Sequence, residues 1–103
     1  RRLYKRGKSL VDRNIVVYYA KNRLGANRVG FTVTTRLGHA VTRNRVRRRL
    51  REIYRLHEAE LRRGAELVVV ARSRSVTAAY SELERDFLRA CRKLSLLPED
   101  TAQ

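Results

Sequence analysis

The alternation of apolar and polar positions along the chain predicts three strands. Residues 10–20 form the first, because the run Ile15-Val16-Val17-Tyr18-Tyr19 is β-branched or aromatic throughout. Both faces of this run are apolar, so we expect both to be covered. A polar loop at 21–27 precedes a second strand at 28–35, in which Val29, Phe31 and Val33 alternate inward. Ala65–Ala71 predicts a third, buried strand.

Helical spacing of apolar residues predicts two helices after the second strand. The first has Thr42 as its N-cap, runs to about residue 61 and has Gly64 as its stop signal. Its apolar side consists of Val46, Leu50, Ile53, Tyr54 and His57. The second helix spans 77–97 and ends before Pro98. Its apolar face consists of Tyr80, Leu83, Phe87, Ala90, Cys91 and Leu94. The predicted order is β, β, α, β, α.

Composition indicates one folded domain with a polyanionic partner. The chain has 103 residues, of which 43% are hydrophobic, and carries a formal net charge of +15. A folded domain with this charge repels itself unless a polyanion neutralises it, so nucleic acid is the first partner to consider and an anionic membrane surface the second. No apolar run approaches the roughly 20 residues of a membrane span. We therefore expect no membrane partner and a cytoplasmic location.

The segment 43–55 carries the clearest functional signal, because seven of its thirteen residues are arginine and one is acidic. Beside the apolar side of the predicted helix, a second stripe consists of Asn44, Arg47, Arg48, Arg51 and Arg55. Only Glu52 and Glu58 are available as partners on the helix, so most of these guanidinium groups lack an ion pair. Rigidly held, unpaired guanidinium groups match an array of phosphates, and the segment predicts nucleic-acid binding.

No residue pattern predicts catalysis by the polypeptide alone. His39 is a lone loop histidine, His57 lies on an apolar helix side, and we expect neither to be catalytic. Glu82 and Asp86 share a side of the last helix. Arg85 lies three residues after Glu82 and Arg89 three residues after Asp86, a spacing that favours ordinary ion pairs within the helix. The single Cys91 excludes an internal disulfide, and we expect it to be a buried, inert thiol.

Strand aromatic residues raise the possibility of base stacking. Tyr4, Val16, Tyr18 and Phe31 occupy positions that could stack bases, as in proteins that bind single-stranded RNA. Core packing is the alternative, which we favour for Phe31. For Tyr4 and Tyr18 both interpretations stay open.

Residues 28–52 read RVGFTVTTRLGHAVTRNRVRRRLRE: a strand, a short Gly-x-Ala-Val connector, and Arg-Asn-Arg at the start of a basic helix. This combination closely resembles the protein subunit of bacterial ribonuclease P. The likeness extends to residues 6–9, to the strand at 67–72 and to the final helix.

The resemblance implies a fold in the α/β class, as a two-layer α+β domain. Residues 1–97 would form one domain with a central four-stranded sheet packed by three helices, and residues 98–103 a loose tail. A left-handed β-α-β crossover is also implied, although general handedness rules predict the opposite. The family's further cleft aromatic lies about four residues before Tyr4, so the resemblance implies a truncated N-terminal helix here.

The resemblance also implies a function: an RNA-binding subunit that assists a catalytic RNA in removing the 5′ leader from precursor tRNA. The partners would be that catalytic RNA and the leader, with one protein per RNA. Magnesium and the active site would belong to the RNA, with no catalytic or metal-binding residue on the protein.

Two sets of residues carry over by position from the family. The implied contacts to the catalytic RNA are Arg36, Arg43, Asn44, Arg45, Arg47, Arg48, Arg51 and Arg55. The implied lining of the leader cleft is Tyr4, Ser9, Arg13, Val16 and Tyr18. One departure is Thr34-Thr35-Arg36, which stands where a doubly basic pair is common and implies the loss of one phosphate contact.

The main alternative is a ribosomal or general RNA-structural protein, which would be equally basic. A protein-only nuclease is disfavoured by the sparse carboxylates. A DNA-binding helix-turn-helix protein is disfavoured because it needs a further helix directly ahead of the recognition helix. For about five phosphate contacts, RNA affinity is expected to fall with salt at a log–log slope of roughly −3.5 to −4.5.

Overall fold

The computed structural model describes residues 7–98, which form a four-stranded sheet with two helices packed on one face. The strands are β1 (Lys8–Val11), β2 (Ile15–Lys21), β3 (Arg28–Thr32) and β4 (Ala65–Ala71), and the helices are α1 (Ala40–His57) and α2 (Tyr80–Lys93). Short 3₁₀ turns occupy Thr35–Leu37, Glu58–Glu60 and Ser73–Val76. The two-layer α+β class is confirmed. The third helix that the resemblance implies falls on residues outside the described range, as does all of the predicted tail except Pro98.

The sheet is mixed, with the strand order β1-β2-β4-β3. β2 lies between β1 and β4 and is antiparallel to both, whereas β3 pairs with β4 in parallel. Because parallel neighbours need a crossover, the chain passes from β3 through α1 to β4. This is the β-α-β connectivity that the resemblance implies.

The prediction of one strand over residues 10–20 is wrong, because the segment contains a hairpin. β1 ends at Val11 and β2 begins at Ile15, with a tight turn between them that is closed by the Asp12 N–H donating to the Ile15 carbonyl at 2.9 Å. Asn14, at the end of the turn, is 3% exposed. Its side chain bonds across to α2, so a long-range contact stabilises a turn that local spacing does not reveal.

α1 is displaced from its predicted bounds at both ends. Its N-cap is His39 rather than Thr42, which lies within the first turn. Gly38 precedes it with φ of 137°, a backbone conformation that L side chains rarely adopt, and a Cβ there would lie 3.3 Å from the Thr42 side chain. At the other end, the helix stops at His57 rather than at about residue 61. The Glu58–Glu60 turn follows it and places Leu61 in the core. Gly64 ends no helix but precedes β4.

The second strand and the second helix are both shorter than predicted. β3 ends at Thr32, although Val33 is still buried. α2 begins at Tyr80, where the Ala79 N–H donates to the Glu82 carboxylate at 2.9 Å, and it ends at Lys93. Ser95 then has φ of 65°, which turns the chain so that Leu96 is buried outside the helix.

The core lies between the helices and one face of the sheet. The helix residues at its centre are Val46, Leu50, Ile53, Leu83, Phe87 and Cys91, and the strand residues are Ile15, Val17, Leu67 and Val69. β4 has the predicted bounds, and its side chains alternate between buried and half-buried. Val16 and Tyr18 are only half-buried, so within residues 7–98 the expected cover on both sides of β2 is not found.

Candidate nucleic-acid interface

The arginine face of α1, which we define as Asn44, Arg47, Arg48, Arg51 and Arg55, lies beside the helix side that packs on the sheet. Val46, Leu50 and Ile53 are no more than 2% exposed and fix the helix against the core. Arg47 is half-buried, and the other members of the face are exposed. The sequence spacing thus places these groups together on a rigid element, as predicted.

The guanidinium groups of this face have few partners within the chain. Arg47 Nη1 donates to Asn44 Oδ1 at 2.8 Å, a bond within the face itself. Within residues 7–98, the side chains of Arg48, Arg51 and Arg55 have no hydrogen bond and no ion pair. These donors are therefore available to an external anion.

Other arginines of α1 bind backbone carbonyls instead. Arg45 Nη2 donates to the Val76 carbonyl at 3.0 Å, and Arg49 Nη1 donates to the Ala78 carbonyl at 3.2 Å. Arg43 Nε donates to the Gly38 carbonyl at 3.1 Å. Arg45 and Arg49 thereby hold α1 against the segment that precedes α2. RNA contacts by Arg43 and Arg45 stay predictions, as does a contact by Arg36, which is exposed in the turn before α1.

Two acidic residues on and directly after α1, Glu52 and Glu58, lie beside tyrosines. Burial raises the pKa of Tyr80, and the Glu52 and Glu84 carboxylates beside it raise that pKa further. Burial is also the main cause that raises the pKa of Tyr54, with a further contribution from the Glu58 carboxylate. In the described part of the chain, neither Glu52 nor Glu58 forms an ion pair with an arginine. The guanidinium groups of the arginine face are therefore not held in ion pairs by these two acids.

A recess of about 410 Å³ separates the arginine face from the edge strand β3. Its lining consists of Val29, Gly30 and Phe31 on the strand and Arg47, Arg51, Tyr54, Arg55 and Glu58 on the helix side. Three guanidinium groups around one concave surface can bind phosphate oxygens in pairs.

The sheet has a second, open face that carries most of the predicted leader residues. We define the open sheet face as Ser9, Val11, Val16, Tyr18, Val68 and Val70, which lie opposite the core-facing side chains. Cross-strand pairing forms two rows, with Tyr18 between Ser9 and Val68 and Val16 between Val11 and Val70. Val11 is 67% exposed. Apolar and aromatic side chains on an accessible sheet are suited to contact with unstacked bases.

The structure unites three of the five predicted leader residues. Ser9, Val16 and Tyr18 share the open sheet face, whereas Arg13 lies in the exposed turn at one end of it. Tyr4 lies outside the described residues. Val68 and Val70 also lie on this face, although the apolar run of β4 predicts only a buried strand. Its position between β2 and β3 could not be inferred from local spacing.

The remaining chemically active side chains have structural roles or are isolated. His57 Nε2 is 2.7 Å from the Glu84 carboxylate, so this half-buried histidine has a hydrogen-bonding partner on α2. Burial raises the pKa of the Cys91 thiol to about 12. Among the described residues, no group of three His, Cys, Asp or Glu side chains could hold a metal ion. Of the helices in residues 7–98, none is both long and apolar enough to cross a bilayer.

Comparison with known sequences gives one consistent result. The family model described as Ribonuclease P matches residues 1–95. The ribonuclease P protein component of Natranaerobius thermophilus is 40% identical over 100 residues, covering 97% of this chain and 87% of the relative. That of Finegoldia magna is 42% identical over 95 residues, covering 90% and 81%.

Comparison with solved structures agrees. The ribonuclease P protein of Staphylococcus aureus superposes with a TM-score of 0.84 at 27% identity, covering 93% of this chain and 88% of that one. The ribonuclease P protein of Thermotoga maritima superposes with a TM-score of 0.81 at 27% identity, covering 88% and 86%.

Proposed function

The chain belongs to the ribonuclease P protein family, and on that premise we propose that it is the RNA-binding subunit of a ribonucleoprotein endonuclease that removes the 5′ leader from precursor tRNA. The protein binds the catalytic RNA through the arginine face, with one protein per RNA, and it binds the leader through the open sheet face. This role goes with the cytoplasmic location expected from the sequence.

The arginine face is the observation that carries this proposal. Its exposed guanidinium groups stand on a helix whose other side is fully packed, so binding RNA does not require the helix to be ordered first. Guanidinium groups grip phosphate oxygens in pairs, which suits the backbone of a folded RNA.

The open sheet face supports the contact with the leader. A leader is single-stranded, and proteins recognise such strands by stacking bases on aromatic side chains. Tyr18 lies at the centre of a cross-strand row between Ser9 and Val68, on the side of the sheet that faces away from the core.

The chemistry of cleavage belongs to the RNA in this proposal. Hydrolysis of a phosphodiester by two metal ions needs several acids around the ions. The described residues contain no such group, so they do not fit a magnesium site. We assign magnesium to the catalytic RNA, and to the protein the binding and positioning of RNA.

Multiple-turnover cleavage of precursor tRNA at low magnesium tests the proposal. The cognate catalytic RNA is assayed with and without the full chain, and the chain is expected to lower the magnesium concentration needed for cleavage. A ribosomal or general RNA-structural protein would bind RNA with a similar salt dependence but would leave that requirement unchanged.

Single substitutions connect this activity to the arginine face. Arg47→Ala and Arg51→Ala should weaken binding to the catalytic RNA while the unfolding midpoint stays close to that of the wild type. Arg85→Ala removes the same charge from α2, where Arg85 is 58% exposed, and serves as the matched control. Equal affinity in all the variants would contradict the proposed interface.

The leader contact has its own test. Tyr18→Ala should weaken binding of precursor tRNA by the assembled holoenzyme but leave mature tRNA, which lacks the leader, unaffected. Loss of a stacked base is expected to reduce affinity by about 1–3 kcal/mol. An equal effect on precursor and mature tRNA would show that Tyr18 acts on the fold rather than on the leader.

A further inference from the structure

A basic surface continues beyond the arginine face and around the end of α1. The recess between β3 and α1 is followed by a second recess of about 390 Å³, and Arg55 and Glu58 line both. Arg63 lines this second recess and also a third of about 510 Å³, so neighbouring recesses share an arginine at each junction. We define this series of three recesses as the basic track.

The third recess is purely cationic in its charged lining. Lys8, Lys21, Arg62 and Arg63 surround it, and no acidic side chain of the described residues lines it. Tyr19, Leu94 and Leu96 contribute apolar surface. Within residues 7–98, none of the four cations takes part in an ion pair. Four such charges around one concavity create a positive potential that favours binding of an anion.

The backbone around the third recess is held from two sides. The Arg62 N–H donates to the Leu96 carbonyl at 2.9 Å, which ties the segment after α1 to the end of α2. The Asn22 N–H donates to the Gly64 carbonyl at 2.8 Å, which ties the same segment to the end of β2. Arg62 and Arg63 are therefore carried by a fixed segment, and Lys8 and Lys21 lie on β1 and β2.

We infer that the catalytic RNA contacts the protein along the whole basic track, so that its sugar–phosphate backbone reaches Arg62 and Arg63 as well as the arginine face. The inference rests on the proposed function. The occupant follows from continuity: the track begins at the arginine face and passes through shared arginines, so one polyanion can bind it throughout. The leader is assigned to the open sheet face, on the opposite side from Tyr19.

The test is a salt titration of binding between the full-length protein and the cognate catalytic RNA. The double variant Arg62→Ala/Arg63→Ala keeps the backbone hydrogen bonds of the segment and removes two phosphate contacts. The log–log slope should become shallower by about 1.4, at about 0.7 per phosphate, and affinity at low salt should fall about tenfold. The control variant Arg85→Ala/Lys93→Ala removes two cations from α2 and should keep the wild-type slope.

The outcomes separate this inference from the proposed function. If Arg51→Ala makes the slope shallower but the double variant does not, the RNA ends at the arginine face and the inference is overturned. If the double variant weakens only the binding of a leader oligonucleotide, the recess belongs to the leader and the inference is also overturned. If wild-type binding to the catalytic RNA is independent of salt, the proposed function itself fails.

Discussion

Tyr54 combines a well-packed ring with an unsatisfied hydroxyl. The ring makes edge-to-face contacts with Phe31 at 6.4 Å and with Phe87 at 6.3 Å, measured between centroids. The hydroxyl is buried and makes no well-formed hydrogen bond, although the side chains of Glu58 and Asn27 lie close enough to act on its pKa. A buried polar group without a partner destabilises the fold.

Removing this hydroxyl is therefore expected to stabilise the protein. Tyr54→Phe keeps the ring contacts and should raise the free energy of unfolding by about 1 kcal/mol, measured by urea denaturation. Tyr54→Leu loses the ring contacts and should lower the same quantity. A lower value for Tyr54→Phe would mean that the hydroxyl has a partner in solution.

His57 makes the stability depend on pH. Its Nε2 is 2.7 Å from the Glu84 carboxylate on α2, and this hydrogen bond is the main cause that raises the His57 pKa, with Glu60 contributing. The ordinary value is 6.5, so the contribution to stability is fully present below about pH 6.5 and is lost as pH rises through the higher folded pKa. The urea midpoint of the wild type should fall across this range more steeply than that of His57→Gln. Parallel curves for the two proteins would contradict the assignment.

The β1–β2 hairpin is held to α2 by a buried carboxylate. Asp86 is 1% exposed, accepts from Asn14 Nδ2 at 2.9 Å and accepts from Arg89 Nη2 at 2.8 Å. Arg89 Nε is also 3.1 Å from the Asp12 carboxylate. The turn and the helix are thus joined by one polar network, in which a change to one member leaves the others with unsatisfied groups.

Asp86→Ala is expected to lower the free energy of unfolding by about 2 kcal/mol, because Asn14 would remain buried without its acceptor. Urea denaturation measures the change. Arg85→Ala removes a side chain that is 58% exposed and only 3.8 Å from the Asp86 carboxylate, so it should change stability by less than about 0.5 kcal/mol. Similar losses of unfolding free energy in the two variants would mean that the charge on α2, rather than the hydrogen-bond network, determines the effect.

The same network explains which elements can be predicted from the sequence. β4 and the core side of α1 can be predicted from the local pattern of apolar residues, because in each element the buried side chains lie on the face that packs against the core. The hairpin and the burial of Asp86 depend on a contact between residues 14 and 86, which no local pattern contains. The arginine face was predicted from helical spacing. The open sheet face needed the strand order, since Val68 and Tyr18 are paired only in the folded sheet.

At the scale of the whole molecule, the sheet separates two surfaces of different chemistry. One side carries the helices and the basic track, where phosphates are the suitable ligands. The other side carries Val16, Tyr18 and the valines of β4, where bases are the suitable ligands. A thin domain of this kind can contact two RNA segments at once without a change of shape.

The salt dependence of RNA binding reports how much of the positive charge acts locally. If all 15 units of the formal net charge neutralised phosphates, and each released about 0.7 counterion, the log–log slope of affinity against salt would be about −10. About five contacts along α1 give roughly −3.5 to −4.5, and two more at Arg62 and Arg63 make the slope steeper by about 1.4. We therefore expect a wild-type slope of about −5 to −6, measured by equilibrium binding to the catalytic RNA over a range of salt concentrations. A slope near −10 would mean that the protein acts as a diffuse polycation, because contacts confined to one side of the sheet cannot release that many counterions.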